Sequence, residues 1–174
     1  MPAMKCKQES RLNGVKTNIT NLTDIANALR VPDSSIIKYF CAEVGANQEQ
    51  TSIVKGQHSV ESLQKLLDKF IVKYVLCGRC NYPEVVHEVQ KKELVGVCNA
   101  CSFQKKMDVT HKAGKTLLKE IPNFYKSNPE FMGKRSQAIK EIAELKELPG
   151  AGEKKQKRLK KQMNNEESGD QERQ

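Results

Sequence analysis

Tryptophan is absent from the 174-residue sequence, and Tyr and Phe together make up only 5% of it. Large aromatic side chains carry much of the burial in a sizeable core. The chain therefore reads as one medium domain, or as two small ones with a tail. Long apolar runs are missing too. None approaches the ~20 residues that a helix needs to cross a bilayer, so no membrane partner is expected. The opening stretch, MPAMKCKQES, is polar and charged, without an apolar block of signal-peptide length. A cytoplasmic chain with reduced thiols is the expectation. Acidic charge is the minority sign, with 21 Asp+Glu against 30 Lys+Arg and a net charge of +9. That excess favours a polyanionic partner, whether RNA, DNA or an acidic protein surface. No nucleophile–base pair, phosphate-cradling glycine loop or carboxylate dyad stands out, so the chain does not read as a catalyst.

What the sequence does have is cysteine in a pattern. Four of its six cysteines form two tight pairs, Cys77-x2-Cys80 and Cys98-x2-Cys101, with seventeen residues between them. This is the spacing of a four-thiolate zinc site. Two residues between cysteines make a tight knuckle whose amides can point at the sulfurs, and two knuckles close a tetrahedron. Iron fits the same cage, and a redox reading would leave one pair unexplained. With four protein thiolates no position stays open for water or substrate, so the expected ion is structural. The intervening VVHEV and ELVGV alternate as a β-hairpin does, and QKKMDVT supplies a third strand. The whole reads as a three-stranded zinc ribbon folded largely by its one Zn²⁺. His87, between the knuckles, reads as a strand residue. Cys6 and Cys41 read as small apolar thiols. His58 and His111 have no carboxylate or serine arranged around them.

Ahead of the ribbon lies a small α/β domain at 1–72. Asn13-Gly14 suits a hairpin turn. After it Val15, Thr17 and Ile19 alternate with Lys16, Asn18 and Thr20, and AMKCKQESRL is the candidate partner strand. Three helices follow. Leu22, Ile25, Ala26 and Leu29 mark the first, with Asn21 as N-cap. Ile36, Ile37, Phe40, Cys41 and Val44 mark the second, ended by Gly45. Val60, Leu63, Leu67 and Phe70 mark the third, with Ser59 as N-cap. TSIV at 51–54 reads as a short strand. FIVKYVLC reads as a strand or a helix end running straight into the first knuckle, which couples the two modules rigidly. The ribbon is assigned to 73–112. The prolines and asparagines of PNFYKSNPEF mark a boundary, so 113–133 reads as a linker. Residues 134–148 read as a possible helix whose Ile139, Ile142, Leu145 and Leu148 recur every third residue, a spacing that calls for a partner surface. The basic tail at 149–174 reads as disordered. The fold class is thus α+β, an α/β domain followed by a zinc ribbon.

Several stretches together resemble a known family: NGVKTNITNLTDIANAL, KYFCAEVGA, LQKLLDKFIVKYVLCGRCNYPE, CNAC and THKAGKTLLK. They resemble the N-terminal domain of eukaryotic translation initiation factor 5, which is homologous to the zinc-ribbon half of the initiation factor 2 beta subunit. The resemblance covers about residues 1–120. It implies a translation initiation factor that promotes GTP hydrolysis by the initiation factor 2 gamma subunit. The implied partners are that subunit, the small ribosomal subunit, initiator tRNA and mRNA near the start codon. It also implies that Asn13, Gly14, Lys16 and Lys38 contact the GTPase or RNA. Lys16 faces away from Val15 and Ile19. Lys38 lies roughly 120° from the centre of its helix's apolar stripe. Lys91, Lys92, Lys105 and Lys106 are further candidates for phosphate contact, or simply a solvated basic face.

The pattern departs from the family at both ends. In the family an arm ahead of the Met-Pro dipeptide carries an aromatic–arginine stretch resembling an arginine finger. This sequence starts at Met1-Pro2, and Arg11 does not match that motif. The expectation is a truncated sequence or a factor with weakened GTPase activation. The family's larger members carry a further helical-repeat domain, where the expectation from this sequence is a basic tail. The competing readings are the beta subunit itself, which binds the gamma subunit through a preceding helix, and a transcription-type zinc-ribbon adaptor for nucleic acid.

Overall fold

The computed structural model describes residues 1–11, 14–46 and 48–132. The expected helix at 134–148 and tail at 149–174 fall outside them. Residues 1–131 make one compact unit.

The chain opens with strands β1 (Cys6–Arg11) and β2 (Gly14–Ile19), antiparallel with Cys6 opposite Ile19 and Arg11 opposite Gly14. Thr17 and Ile19 are buried while Lys16 and Asn18 are half-buried, the alternation that a one-sided strand requires. Val15 departs from this pattern, because it sits at the open end of the strand and is 39% exposed. Helices α1 (Leu22–Leu29) and α2 (Asp33–Glu43) follow. Asn21 precedes α1 but does not cap it with its side chain. That amide instead ties down the N-terminal segment, accepting from the Lys5 amide at 2.9 Å and donating to the Ala3 carbonyl at 2.7 Å. Gly45, at φ +67°, ends α2 as expected, with the Ala46 amide reaching back to the Cys41 carbonyl at 2.9 Å.

Strands β3 (Gln48–Gln50) and β4 (Ile53–Lys55) complete a four-stranded sheet in the order β1-β2-β4-β3. Helix α3 (Val60–Phe70) starts at Ser59, whose side chain accepts from the Ser62 amide at 3.2 Å. It buries Leu63, Leu67 and Phe70. Helix α2 buries Ser35, Ile36, Ile37, Tyr39, Phe40 and Cys41, a wider face than one stripe, because other helices and the sheet pack around it. Tyr39 lies outside the expected stripe, and Val44 is only half-buried.

The segment after α3 is a helix end. Ile71–Val75 form a single π-helical turn, closed by the Leu76 amide on the Ile71 carbonyl at 2.9 Å, and the next residue is Cys77. The ribbon then forms as expected, with β5 (Val85–Gln90), β6 (Glu93–Cys98) and β7 (Gln104–Lys106) in that order in an antiparallel sheet.

The expected linker at 113–133 is instead mostly helix. Helix α4 (Lys112–Ser127) packs on α2 and on β5 and β6, and a 3-10 turn at Pro129–Phe131 follows it. Ala113, Leu117, Ile121 and Tyr125 recur every fourth residue and are buried. Pro122 sits inside this helix. It removes a backbone donor and clashes with the turn before it, which on its own ends or kinks a helix. Here the buried stripe prevails over that local penalty.

Candidate metal centre and basic surfaces

Cys77, Cys80, Cys98 and Cys101 converge although their pairs lie on opposite sides of a hairpin. One ligand atom from each lies within 4.8 Å of all the others. Cys77 and Cys101 sulfurs are 3.5 Å apart, and those of Cys80 and Cys98 are 3.6 Å apart. A tetrahedral ion with metal–sulfur bonds near 2.3 Å needs edges of about 3.8 Å. The donor set therefore fits a tetrathiolate ion in size and in chemistry. The Arg79 amide donates to the Cys77 sulfur at 3.4 Å, as a knuckle should.

Burial and the neighbouring thiols perturb Cys77, Cys98 and Cys101 in different directions. Burial pushes the Cys77 thiol up, but the amides of Cys80 and Arg79 and the adjoining thiols of Cys101 and Cys80 bring it down to about 6. Cys101 is pushed up to about 12 by burial and by the surrounding thiols, against the amide of Phe103. Burial also raises Cys98. Sulfurs this close cannot all hold negative charge together unless a positive ion lies among them.

The ribbon is fastened where the chain enters and leaves it. Lys73 Nζ lies 2.6 Å from Asp108 Oδ2, and the buried Tyr74 donates its hydroxyl to the Asp108 carbonyl at 3.1 Å. The Lys73 ammonium and the Thr110 hydroxyl and amide hold the Asp108 carboxyl well below the usual range. Helix α4 then approaches that same corner so closely that a Cβ on Gly114 would collide with the Asp108 carbonyl.

His111 does have a carboxylate, contrary to the expectation from local sequence. Its Nε2 is 3.5 Å from Glu43 Oε1, and its Nδ1 accepts from the Ala113 amide at 3.1 Å, capping α4. The ring also lies 4.8 Å from that of Tyr39. Tyr39 and Glu43 come from the KYFCAEVGA stretch and His111 from THKAGKTLLK, so two separated stretches of the resemblance meet here. No spacing rule connects residues this far apart, so the sequence carries no signal for the pair.

His87 is in a strand as expected, and buried, with neither ring nitrogen hydrogen-bonded. Burial pushes its pKa down to about 4, which the Tyr74 backbone only partly opposes. Its backbone amide donates to the Tyr125 hydroxyl of α4 at 3.2 Å.

The lysines divide among several places. Gly14 is exposed at φ +96° at the start of β2, while Asn13 lies outside the described residues. Lys16 is opposite Glu9 on one side and Lys55 on the other, so three charged residues share one face of the sheet. Lys38 is half-buried between Ile37 and Tyr39 on α2. Lys91 and Lys92 form the exposed β5–β6 turn. Lys106 is ion-paired with Glu93 at 2.8 Å beside that turn. Lys105 lies alongside the first knuckle, its Cδ 3.9 Å from where a Gly78 Cβ would be.

With this geometry, the likeness to known proteins falls on both sheets. A family profile described as a domain found in initiation factors 2B and 5 matches residues 1–104, which take in β1 through β6 and all four clustered cysteines. The chain belongs to that domain family. Eukaryotic translation initiation factor 5 of Saccharomyces cerevisiae is 42% identical over 132 residues, covering 71% of this chain and 32% of that protein. The mouse protein of the same name is 40% identical over 129 residues, 70% of this chain and 30% of the relative. A probable eukaryotic translation initiation factor 5-2 of Arabidopsis thaliana is 37% identical over 171 residues, 95% of this chain and 39% of its own length. The chain thus spans about a third of the length of the relatives it matches. Among the described residues no helix is long and apolar enough to cross a membrane.

Proposed function

We propose that the chain acts in translation initiation in the cytoplasm as a regulator of a partner GTPase and does no bond-making chemistry of its own. One observation carries this reading: a closed four-thiolate centre of structural type, in a domain shared with initiation factors 2B and 5, on a chain with net charge +9. The ion is Zn²⁺, held by Cys77, Cys80, Cys98 and Cys101. With every coordination position filled by sulfur, its role is to fix the ribbon rather than to activate water.

The GTPase is the gamma subunit of initiation factor 2, and the surface that receives the chain comprises the small ribosomal subunit, initiator tRNA and mRNA near the start codon. The β1–β2 hairpin, through Asn13, Gly14 and Lys16, and helix α2, through Lys38, offer point charges to phosphates. Lys91, Lys92, Lys105 and Lys106 offer more along the ribbon. These contacts strengthen attachment in a salt-dependent way. The names of the similar curated proteins favour factor 5 over the beta subunit within the shared family.

The test is single-turnover GTP hydrolysis in a reconstituted initiation complex, with and without the chain. Lys16→Glu and Lys38→Glu should each slow hydrolysis or weaken ribosome binding while the far-UV spectrum stays unchanged. Wild-type rate and affinity in both variants would remove these lysines from the mechanism. Stable stoichiometric co-purification with the gamma subunit would favour the beta-subunit reading instead.

A further inference from the structure

Helices α1 and α4 both pack on α2, and a trough between them runs over the start of α2. It encloses about 380 Å³, and its walls include Thr23 and Asn27 of α1, Asp33 of α2, and Glu120, Asn123 and Phe124 of α4. A second cavity of about 350 Å³, toward the β3–β4 turn, shares Thr23 and Asp33 with the first, so the two adjoin. This lining is opposite in charge to the molecule. The chain carries +9, yet neither cavity is lined by a single lysine, arginine or histidine.

Both carboxylates meet at one residue. The Ser34 amide donates to Asp33 Oδ1 at 2.7 Å, and the Ser34 hydroxyl donates to Glu120 Oε2. Among the described residues neither carboxylate is in an ion pair. The N-terminus of α2 carries a partial positive charge that one carboxylate suffices to offset. Asp33, in the first turn, supplies it. Glu120 is a second carboxylate, half-buried and brought in from a different helix. Charge in a concave site attracts a cation more strongly than the same charge on open surface. Phe124 adds an apolar ring to the same cavity, stacked on Phe131 with centroids 5.8 Å apart.

We propose that this trough receives an arginine-bearing segment of a protein partner, whose guanidinium is held by Asp33 and Glu120 beside Phe124. A guanidinium presents a planar fork of donors that two carboxylates can share, and its flat face tolerates an aromatic neighbour. A lysine ammonium has neither property. The carbonyl oxygens of Asn27 and Asn123 can take the remaining donors. A nucleic acid is disfavoured here, because carboxylates with no neighbouring cation repel phosphate. Neither Lys16 nor Lys38 lines either cavity, so the proposal can stand or fall apart from the GTPase reading.

The experiment is fluorescence anisotropy of the metal-replete full chain with a labelled nonapeptide of alternating Arg and Ser. Asp33→Asn with Glu120→Gln keeps the shape of the trough and should weaken binding about tenfold or more. Asn27→Arg places a cation on the exposed wall of α1, away from the core, and should weaken it as much without lowering the melting temperature. A peptide with Lys in place of Arg should bind about threefold more weakly or worse. Glu93→Gln, which removes a carboxylate on the ribbon, should leave the affinity within about twofold of wild type. No binding to the wild-type chain would overturn the proposal. So would wild-type affinity in the double variant or in Asn27→Arg. A double variant that melts earlier yet binds normally would make the Ser34–Glu120 contact a structural tie alone. Equal losses in Glu93→Gln would reduce the effect to unspecific charge and overturn the proposal too. Dimers in sedimentation that the double variant abolishes would assign the trough to a second copy of this chain, against the proposal.

Discussion

In the helical half, Ile19, Leu22, Ile25, Val31, Ile36, Ile37, Phe40, Val54, Leu63, Leu67 and Phe70 are all at most 2% exposed. Between Cys77 and Lys106, Val86 and Leu94 are the only aliphatic side chains buried that deeply, alongside Cys77, His87 and Cys98. The first region is held by close packing of apolar groups and the second by four sulfurs. The contrast teaches that a small sheet can be stiff without a core of its own, provided that an ion and a neighbouring helix replace one. It also means that the two regions should fail under different insults.

Removing the ion should have the largest effect. Metal binding in small thiolate sites contributes on the order of 10 kcal/mol to folding. A strong chelator should therefore abolish amide-exchange protection across β5–β7, while α1 and α3 keep most of theirs. Equal loss in both regions would break the comparison, and undisturbed protection of the ribbon would remove the ion from its folding. The converse experiment is Phe40→Ala. Truncating a fully buried Phe costs about 3–5 kcal/mol. That loss should appear in denaturant unfolding of the helical half, while the variant still binds its ion when folded.

His87 lies on the boundary and should respond to pH. Its pKa is about 4 when folded, well below the ordinary value of 6.5. The proton is thus bound preferentially by the unfolded chain. Stability is fully present above pH 6.5 and falls as pH drops from 6.5 toward 4, by an amount on the order of 3 kcal/mol. His87→Leu should remove that slope, read as melting temperature against pH on the metal-bound protein. A slope unchanged by the substitution would show that ligand protonation alone governs the acid limb.

Local spacing made most of the architecture legible. The cysteine pairs, the alternating ribbon strands, and α1 to α3 with the Ser59 cap and Gly45 stop all rest on residues a few positions apart. Helix α4 was lost because Pro122 and the asparagines around it read as a boundary. Only the packing of Leu117, Ile121 and Tyr125 against elements far away in sequence outweighs that signal. The same distance hid the His111–Glu43 and Lys73–Asp108 pairs, and it hid the place of β4 between β2 and β3.

The smallest expected effect lies at the ribbon's far end. Lys91 and Lys92 join β5 to β6 with positive φ at both positions, 49° and 67°. A two-residue hairpin turn of that form favours Asn-Gly, since other L-residues are strained there by roughly 1 kcal/mol each. Replacing Lys91→Asn with Lys92→Gly should therefore stabilise the ribbon by about 1 kcal/mol, visible as slower exchange of the Gln90 and Glu93 amides, the pair that closes the turn. The helical half should not change. If the two lysines also meet phosphate, the stabilised variant should bind RNA less tightly and with a shallower salt dependence. Greater stability coupled to weaker binding would mean that strain at this turn is retained for its charges. Greater stability with unaltered binding would make the lysines a solvated tip.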